Sequence, residues 1–241
     1  MILLSVDTCD ARGSVAVLCD GIESAVAPHE NSEDYSSWLI PAAECVLKQA
    51  GLGFKDVDVY AVATGPGSFT GLRIGLTTIK GLAEVYGRRI APVSRLEALA
   101  SVAIEASAWV ASFYDAQRGQ VFGALFRRNG DLLHQEGASC VARLEEFMET
   151  VASLAPVGNV VWVSPDLELI QDQSMWQVRS KKGDLAHKAS KVLAGFVGRM
   201  GYRWAREGRL VEAVELEANY VRRSDAEIFW KGTGKRASHS V

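Results

Sequence analysis

The chain opens on an apolar run, Ile2-Leu3-Leu4-Ser5-Val6-Asp7-Thr8, which predicts a strand beginning almost at the first residue. Gly13 to Leu18 reads as its return across a small polar loop, Thr8 to Arg12, and Glu23 to Ala27 as a third strand of an antiparallel meander. Residues 28–35 are polar and predict a loop, with His29 exposed and Ser32 or Ser36 starting a helix. From Trp38 to Ala50 the set Leu39, Ala43, Val46, Leu47 and Ala50 keeps helical spacing until Gly51 and Gly53 stop it. Pro41 fits there only near the helix start or at a bend.

The stretch 57–99 carries the strongest pattern. Val57, Val59, Ala61 and Ala63 alternate with their neighbours as a strand, and Gly65-Pro66-Gly67 ends it in a rigid turn. Ser68 or Thr70 then caps a helix in which Leu72, Leu76, Ile79, Ala83 and Tyr86 recur at three to four residues. Gly71, Gly75, Thr78 and Gly81 leave another flank of that helix small, at about 1 kcal/mol per interior glycine relative to alanine. Such a flank means close packing inside the chain or against a partner. Ile90 to Val93 is a short strand, and Ser94-Arg95-Leu96-Glu97 reads as a capping box opening a helix over 94–107.

The second half repeats the opening design. Strands are predicted over 108–114 and 120–127 around the turn 115–119, with Asn129-Gly130 leading into a short strand over 131–134. Asp115 and Gly119 correspond loosely to the Asp10–Gly13 bend, so two lobes of similar topology are expected. A helix follows over 141–152, strands over 159–164 and 175–178, and a long helix capped by Asp184 and running to Arg206, the main packing element of the second lobe. Residues 213–223 read as an extended connection docking Leu216, Tyr220 and Val221, and the basic, glycine- and serine-rich end as a flexible tail.

At 241 residues with 48% apolar content, the chain has ample material for a core of one domain or two small lobes. A net charge of -3 gives no global electrostatic case for binding nucleic acid. Cys9, Cys19, Cys45 and Cys140 are scattered without a C-x-x-C pair, which points to a reduced, cytoplasmic location. No apolar run approaches the roughly 20 residues that cross a bilayer, so no membrane association is expected.

Each candidate for chemistry lacks a partner. The loop 65–71 has no G-K-[ST] ending and no Rossmann spacing. Ser68 lacks the flanking glycines of a nucleophile elbow, and no histidine is singled out as its base. His29, His134, His187 and His239 form no metal-binding pair. Asp7 either simply closes its strand or, with Thr8 and the turn, places a carboxylate and backbone amides around a phosphate and its magnesium ion. Arg73, a cation in the first turn of a helix, predicts an interface or internal ion-pair residue.

Three segments together carry a specific resemblance: ATGPGSFTGLRIGLTTIKGLA (63–83), ILLSVDTCDARGSVAVL (2–18) and APVSRLEALA (91–100). They resemble the TsaB (YeaZ) family, the non-catalytic partner in bacterial threonylcarbamoyladenosine (t6A) modification of tRNA. The likeness is clear over about 1–125 and weakens through 130–210; VELEANYVRR resembles the family's closing segment, with Ala218 where proline is usual.

The resemblance implies an α/β, actin-like, Hsp70-like and sugar-kinase-like (ASKHA) fold of two related subdomains with mixed sheets flanked by helices, here 1–107 and 108–225, and a tail over 226–241. It also implies work alongside the catalytic subunit TsaD and the ATPase TsaE, contact with tRNA only through that complex, a homodimer when alone, and no cofactor, metal or catalytic residue of its own. Where the catalytic relative carries a metal-binding H-x-x-x-H, this chain has Arg95 and Leu99, neither of which can replace imidazole. The partner surface implied by the family lies on the helices 38–50 and 72–86, with Trp38, Leu39, Ala43, Val46, Gly71, Leu72, Arg73, Gly75, Leu76, Thr78, Ile79 and Leu82 as candidates.

Overall fold

A computed structural model describes residues 1–30, 34–103, 108–130 and 132–221. The expectations for Ser32, the end of the 94–107 helix and the 226–241 tail fall outside these.

The first half runs β1 (Ile2–Asp7), β2 (Ser14–Cys19), β3 (Ile22–Pro28), α1 (Tyr35–Gln49), β4 (Val59–Ala63), α2 (Phe69–Tyr86), β5 (Arg89–Val93) and α3 (Arg95–Ala100). The second runs β6 (Trp109–Asp115), β7 (Gln120–Asn129), β8 (Leu132–Arg143), α4 (Leu144–Leu154), β9 (Val160–Ser164), α5 (Glu168–Gln171), α6 (Ser174–Lys181), β10 (Leu185–Lys188) and α7 (Ala194–Arg206). Two five-stranded sheets result, in the orders β3-β2-β1-β4-β5 and β8-β7-β6-β9-β10. In each, an antiparallel meander of three strands is extended by two parallel strands. The expected repeat is therefore present strand for strand.

Parallel neighbours require crossovers, and those of the first sheet run through α1 and α2 on one face. Leu39, Val46, Leu76 and Ile79 there pack on Leu4, Val6, Tyr60 and Val62. The opposite face is covered by α7, whose Ala194, Val197, Met200 and Trp204 meet Leu3, Leu18 and Ala61. Conversely α3, from the first half of the sequence, sets Leu96, Leu99 and Ala100 against Val110, Phe126 and Val161 of the second sheet. The other face of that sheet buries Phe113 and Trp162 under Phe147 and Val151 of α4. Each lobe thus borrows a helix from the other half of the chain.

Several local expectations are corrected. α7 begins at Ala194, ten residues after Asp184, and serves the first sheet rather than the second lobe. The residues between include β10, which pairs in parallel with β9. Asp184 caps no helix; its carboxylate accepts bonds from the Gly158 amide, the Trp162 indole and Arg179. Residues 174–181 are helical, not a strand, and β8 runs to Arg143, past the predicted short strand and into the predicted helix. Pro41 lies inside α1, in its second turn.

The glycine-rich flank of α2 is explained within the chain. A Cβ on Gly71 would stand 2.1 Å from the Thr8 carbonyl oxygen, and one on Gly75 would stand 2.2 Å from the Thr8 hydroxyl. The hydroxyl of Thr8 donates to the Gly71 carbonyl at 2.7 Å, seating the helix on the β1–β2 turn. Gly81 has no such neighbour within 4 Å.

Gly71→Ala is therefore expected to lower stability by about 1–3 kcal/mol or more through overpacking against backbone. Gly81→Ala should raise it by about 1 kcal/mol through helix propensity. Urea unfolding of the two variants checks both signs, and equal effects would refute the close-approach explanation.

Candidate functional site

The end of β1, the 65–71 turn and the first residue of α3 meet between the lobes. Asp7 is fully buried: Oδ1 accepts from the Cys9 amide at 2.9 Å and Oδ2 from Arg95 Nε at 3.0 Å. Arg95, also fully buried, reaches Asp10 through Nη2 at 3.4 Å. Its guanidinium lies 4.3 Å from the centroid of the Tyr114 ring, and the Tyr114 hydroxyl donates to the Pro66 carbonyl. The Arg95 amide donates to the Gly65 carbonyl at 2.9 Å, while Nη1 is buried with no acceptor.

Burial opposes the charge of Arg95, but Asp7, followed by Tyr114, Cys9 and Asp10, outweighs it and holds the pKa well above the usual guanidinium value. Burial also pushes the Tyr114 phenol and the Cys9 thiol upward, Asp7 adding to the shift at Cys9.

The turn that Asp7 closes is steadied from α1. The Tyr35 hydroxyl donates to the Asp10 carbonyl and accepts from the Gly13 amide at 2.6 Å. His29, expected to be exposed, is 7% exposed; its ring lies tilted against Tyr35 and meets the Trp38 ring edge-on, with Nδ1 2.9 Å from the Ala11 carbonyl oxygen.

In the second lobe the residue equivalent to Asp7 is Asp115 itself, since each is the last residue of the first strand of its meander. This corrects the looser match of Asp115 to Asp10. Both form the same turn, Asp115 Oδ1 accepting from the Gln117 amide at 2.8 Å, and Oδ2 takes the Gln117 side chain at 3.0 Å. Between the two turns lies a cavity of about 420 Å³ lined by Cys9, Ser68, Phe69, Tyr114, Gln117 and Tyr220 among others, with no lysine or arginine in its wall among the described residues. The magnesium–phosphate reading of Asp7 does not fit, because its carboxylate is engaged by Arg95 at 3.0 Å. Ser68 is the helix cap, accepting from the Gly71 amide. Among the described residues no cluster of three or more His, Cys, Asp and Glu side chains is placed to hold a metal ion.

The candidate partner residues divide by exposure. Leu39, Ala43, Val46, Leu72, Leu76 and Ile79 are buried in the cores beneath α1 and α2, and Gly71 and Gly75 face Thr8. Trp38, Thr78 and Leu82 are half-buried and Arg73 exposed. Arg73 finds no carboxylate among the described residues; it lies over the Phe69 ring at 3.8 Å and donates to the Tyr220 hydroxyl at 3.4 Å. Ile40 and Val85, which sequence spacing did not single out, are exposed on the same two helices, as is Gly81 of the small flank. Of the terminal segment, Leu216 docks in the core, whereas Tyr220 is half-exposed against Phe69. No helix among the described residues is long and apolar enough to cross a membrane.

The model of the TsaD family, tRNA N6-adenosine threonylcarbamoyltransferase, matches residues 20–173. The tRNA threonylcarbamoyladenosine biosynthesis protein TsaB of Bacillus subtilis is 27% identical over 95% of this chain and 98% of its own length. Among solved structures, YeaZ from Pseudomonas aeruginosa superposes with a TM-score of 0.73 at 26% identity, covering 91% of this chain and 99% of that one. The ROK hexokinase of Thermus thermophilus shares the fold, with a TM-score of 0.53 at 12% identity over 86% of this chain and 100% of that one. The two-lobed fold is that of the actin-like, Hsp70-like and sugar-kinase-like proteins.

Arg95→Met is expected to cost about 3–5 kcal/mol by stranding Asp7 in the interior, and adding Asp7→Asn should recover most of the loss. A double-mutant cycle by urea unfolding checks this; additive losses would reject the pairing. A second test uses alkali. Because the native Cys9 thiol keeps its proton above the ordinary value of 9.0, the unfolded chain deprotonates first and stability falls as pH rises through and beyond 9. Cys9→Ala should flatten the first part of that fall in thermal melts, and native Cys9 should react with a thiol reagent far more slowly than exposed Cys45.

Proposed function

The chain belongs to the TsaD family, on its TsaB (YeaZ) branch, and we propose that it is a non-catalytic subunit for t6A formation, supporting TsaD together with TsaE. In this reading TsaD transfers the threonylcarbamoyl group to adenosine 37 of ANN-decoding tRNAs, and this chain lends it a surface.

The observation that carries the reading is the Asp7–Arg95 pair. Arg95 stands where the catalytic relative has a metal-binding histidine, and it neutralises the one fully buried acid at the head of the cleft. Leu99, at the second histidine position, is packed in the core against the second sheet. The ATP-dependent alternative would use Asp7 and the 8–13 loop, and those groups are already committed to internal bonds.

The partner surface is assigned to the outward faces of α1 and α2. Ile40, Trp38, Thr78, Leu82 and Val85 supply apolar or small contacts there, and Gly81 leaves open space for a close helix crossing. The same surface, being free when TsaD is absent, serves the homodimer.

Omitting each component in turn from a reaction of this chain with the threonylcarbamoyl donor, TsaD, TsaE and tRNA should abolish or sharply reduce t6A, and this chain alone should form none; t6A from the isolated chain would end the proposal. Gly81→Leu should leave the melting temperature unchanged or higher while weakening TsaD binding by about tenfold or more, about 1.4 kcal/mol, by calorimetry. Unchanged affinity would move the interface elsewhere.

A further inference from the structure

We infer that the exposed face of α7 is a docking surface for the phosphodiester backbone of an RNA strand; this rests on the reading that the chain works in an assembly acting on tRNA. Arg199, Arg203 and Arg206 occur at i, i+4 and i+7, so they form one stripe of the helix, and all three are exposed. With Tyr202 they line a shallow groove of about 600 Å³ that runs onto the β2–β3 turn at Asp20 to Ile22. The stripe extends about 10 Å along the helix axis.

Acids face the groove, and their pairing decides its sign. Asp20 is held by the terminal amine at 2.6 Å and Glu207 by Arg209 at 3.2 Å, so each already has a cation outside the stripe. Glu23 lies 3.8 Å from Arg199, a loose pair that leaves most of the guanidinium fork open. Glu97 of α3 is felt by Arg203 and Arg209, but it is largely buried, and burial raises its pKa. Arg206 has no ion pair among the described residues. Among the described residues the groove is therefore locally basic, on a chain whose net charge is -3.

Arginines at regular spacing along one axis suit a strand of repeated phosphates, and half-buried Tyr202 among them supplies an aromatic group for a base or ribose. The position permits simultaneous engagement. α7 covers the face of the first sheet opposite α1 and α2, so RNA on this stripe does not compete with a protein partner on those helices.

The test is anisotropy of labelled tRNA against the assembled complex of this chain with TsaD and TsaE, across a potassium chloride series. The complex carrying R199Q/R203Q/R206Q should bind about tenfold or more weakly at low salt, and the slope of log K against log salt should fall by about two to three units. R206Q alone, which breaks no ion pair, should lower the slope by about one unit and keeps the inference testable if the triple variant folds poorly. Unchanged affinity and slope in R206Q would overturn the inference, as would equal loss of polyglutamate binding, which would make the surface one for acidic protein. If the wild-type chain fails to bind TsaD, the subunit reading falls, and the same slopes measured on the isolated chain still decide the RNA surface.

Discussion

The buried pair of Asp7 and Arg95 is the constraint through which the two lobes are joined. Asp7 ends β1 in the first sheet, whereas Arg95 opens a helix that packs on the second, and the guanidinium is roofed by Tyr114 from that sheet. Removing two charges from water is costly, and only mutual attraction with further bonds offsets it. Here the Cys9 amide, Asp10 and the Tyr114 ring complete the shell, although one guanidinium nitrogen stays unmatched. Such an arrangement tolerates little relative movement of the lobes, because a small separation would strand a charge in the interior.

The exchange of helices follows from topology. Crossovers of one hand place α1 and α2 on the same face of the first sheet, which leaves its other face apolar and uncovered. In the second lobe α4 covers one face in the same way. The open faces are closed by α7 and α3, each reaching across the middle of the molecule. Ser5 and Ser14 secure the start of α7, the first donating to the Ala194 carbonyl at 2.7 Å and the second accepting from its amide at 3.0 Å. The two sheets thus share their inner layer.

What could be read in the sequence was whatever depended on neighbours in the chain. The opening meander, the Ser68 cap, the strand–turn–helix at 59–86 and the repeat of the first design all rest on local alternation, turn chemistry and spacing. What escaped depended on distant contacts. Leu185 and Ala189 fit a helical stripe with Phe196 and Met200, and only pairing with β9 makes 185–188 a strand. Gly71 and Gly75 left an interface open beside internal packing because Thr8, the residue they accommodate, lies more than sixty positions away in sequence. The buried candidates on α1 and α2 were chosen by apolar periodicity, which marks the face turned inward; the outward face is recognised by what the inner one leaves over, as with Ile40, Gly81 and Val85.

The cleft sets a different group of polar contacts into a fold shared with a hexokinase. Binding a phosphate and a metal between lobes needs an unengaged carboxylate on one side and free donors or cations on the other. Here Asp7 is matched by an arginine, and its counterpart Asp115 is satisfied by Gln117 two residues on. The remaining wall is aromatic and small, and the segment ending at Tyr220 lies across its rim. Groups that would respond to a ligand are spent on fixing the lobes relative to each other. With those polar groups committed to internal bonds, the functions proposed for this chain are assigned to the exposed sides of α1, α2 and α7.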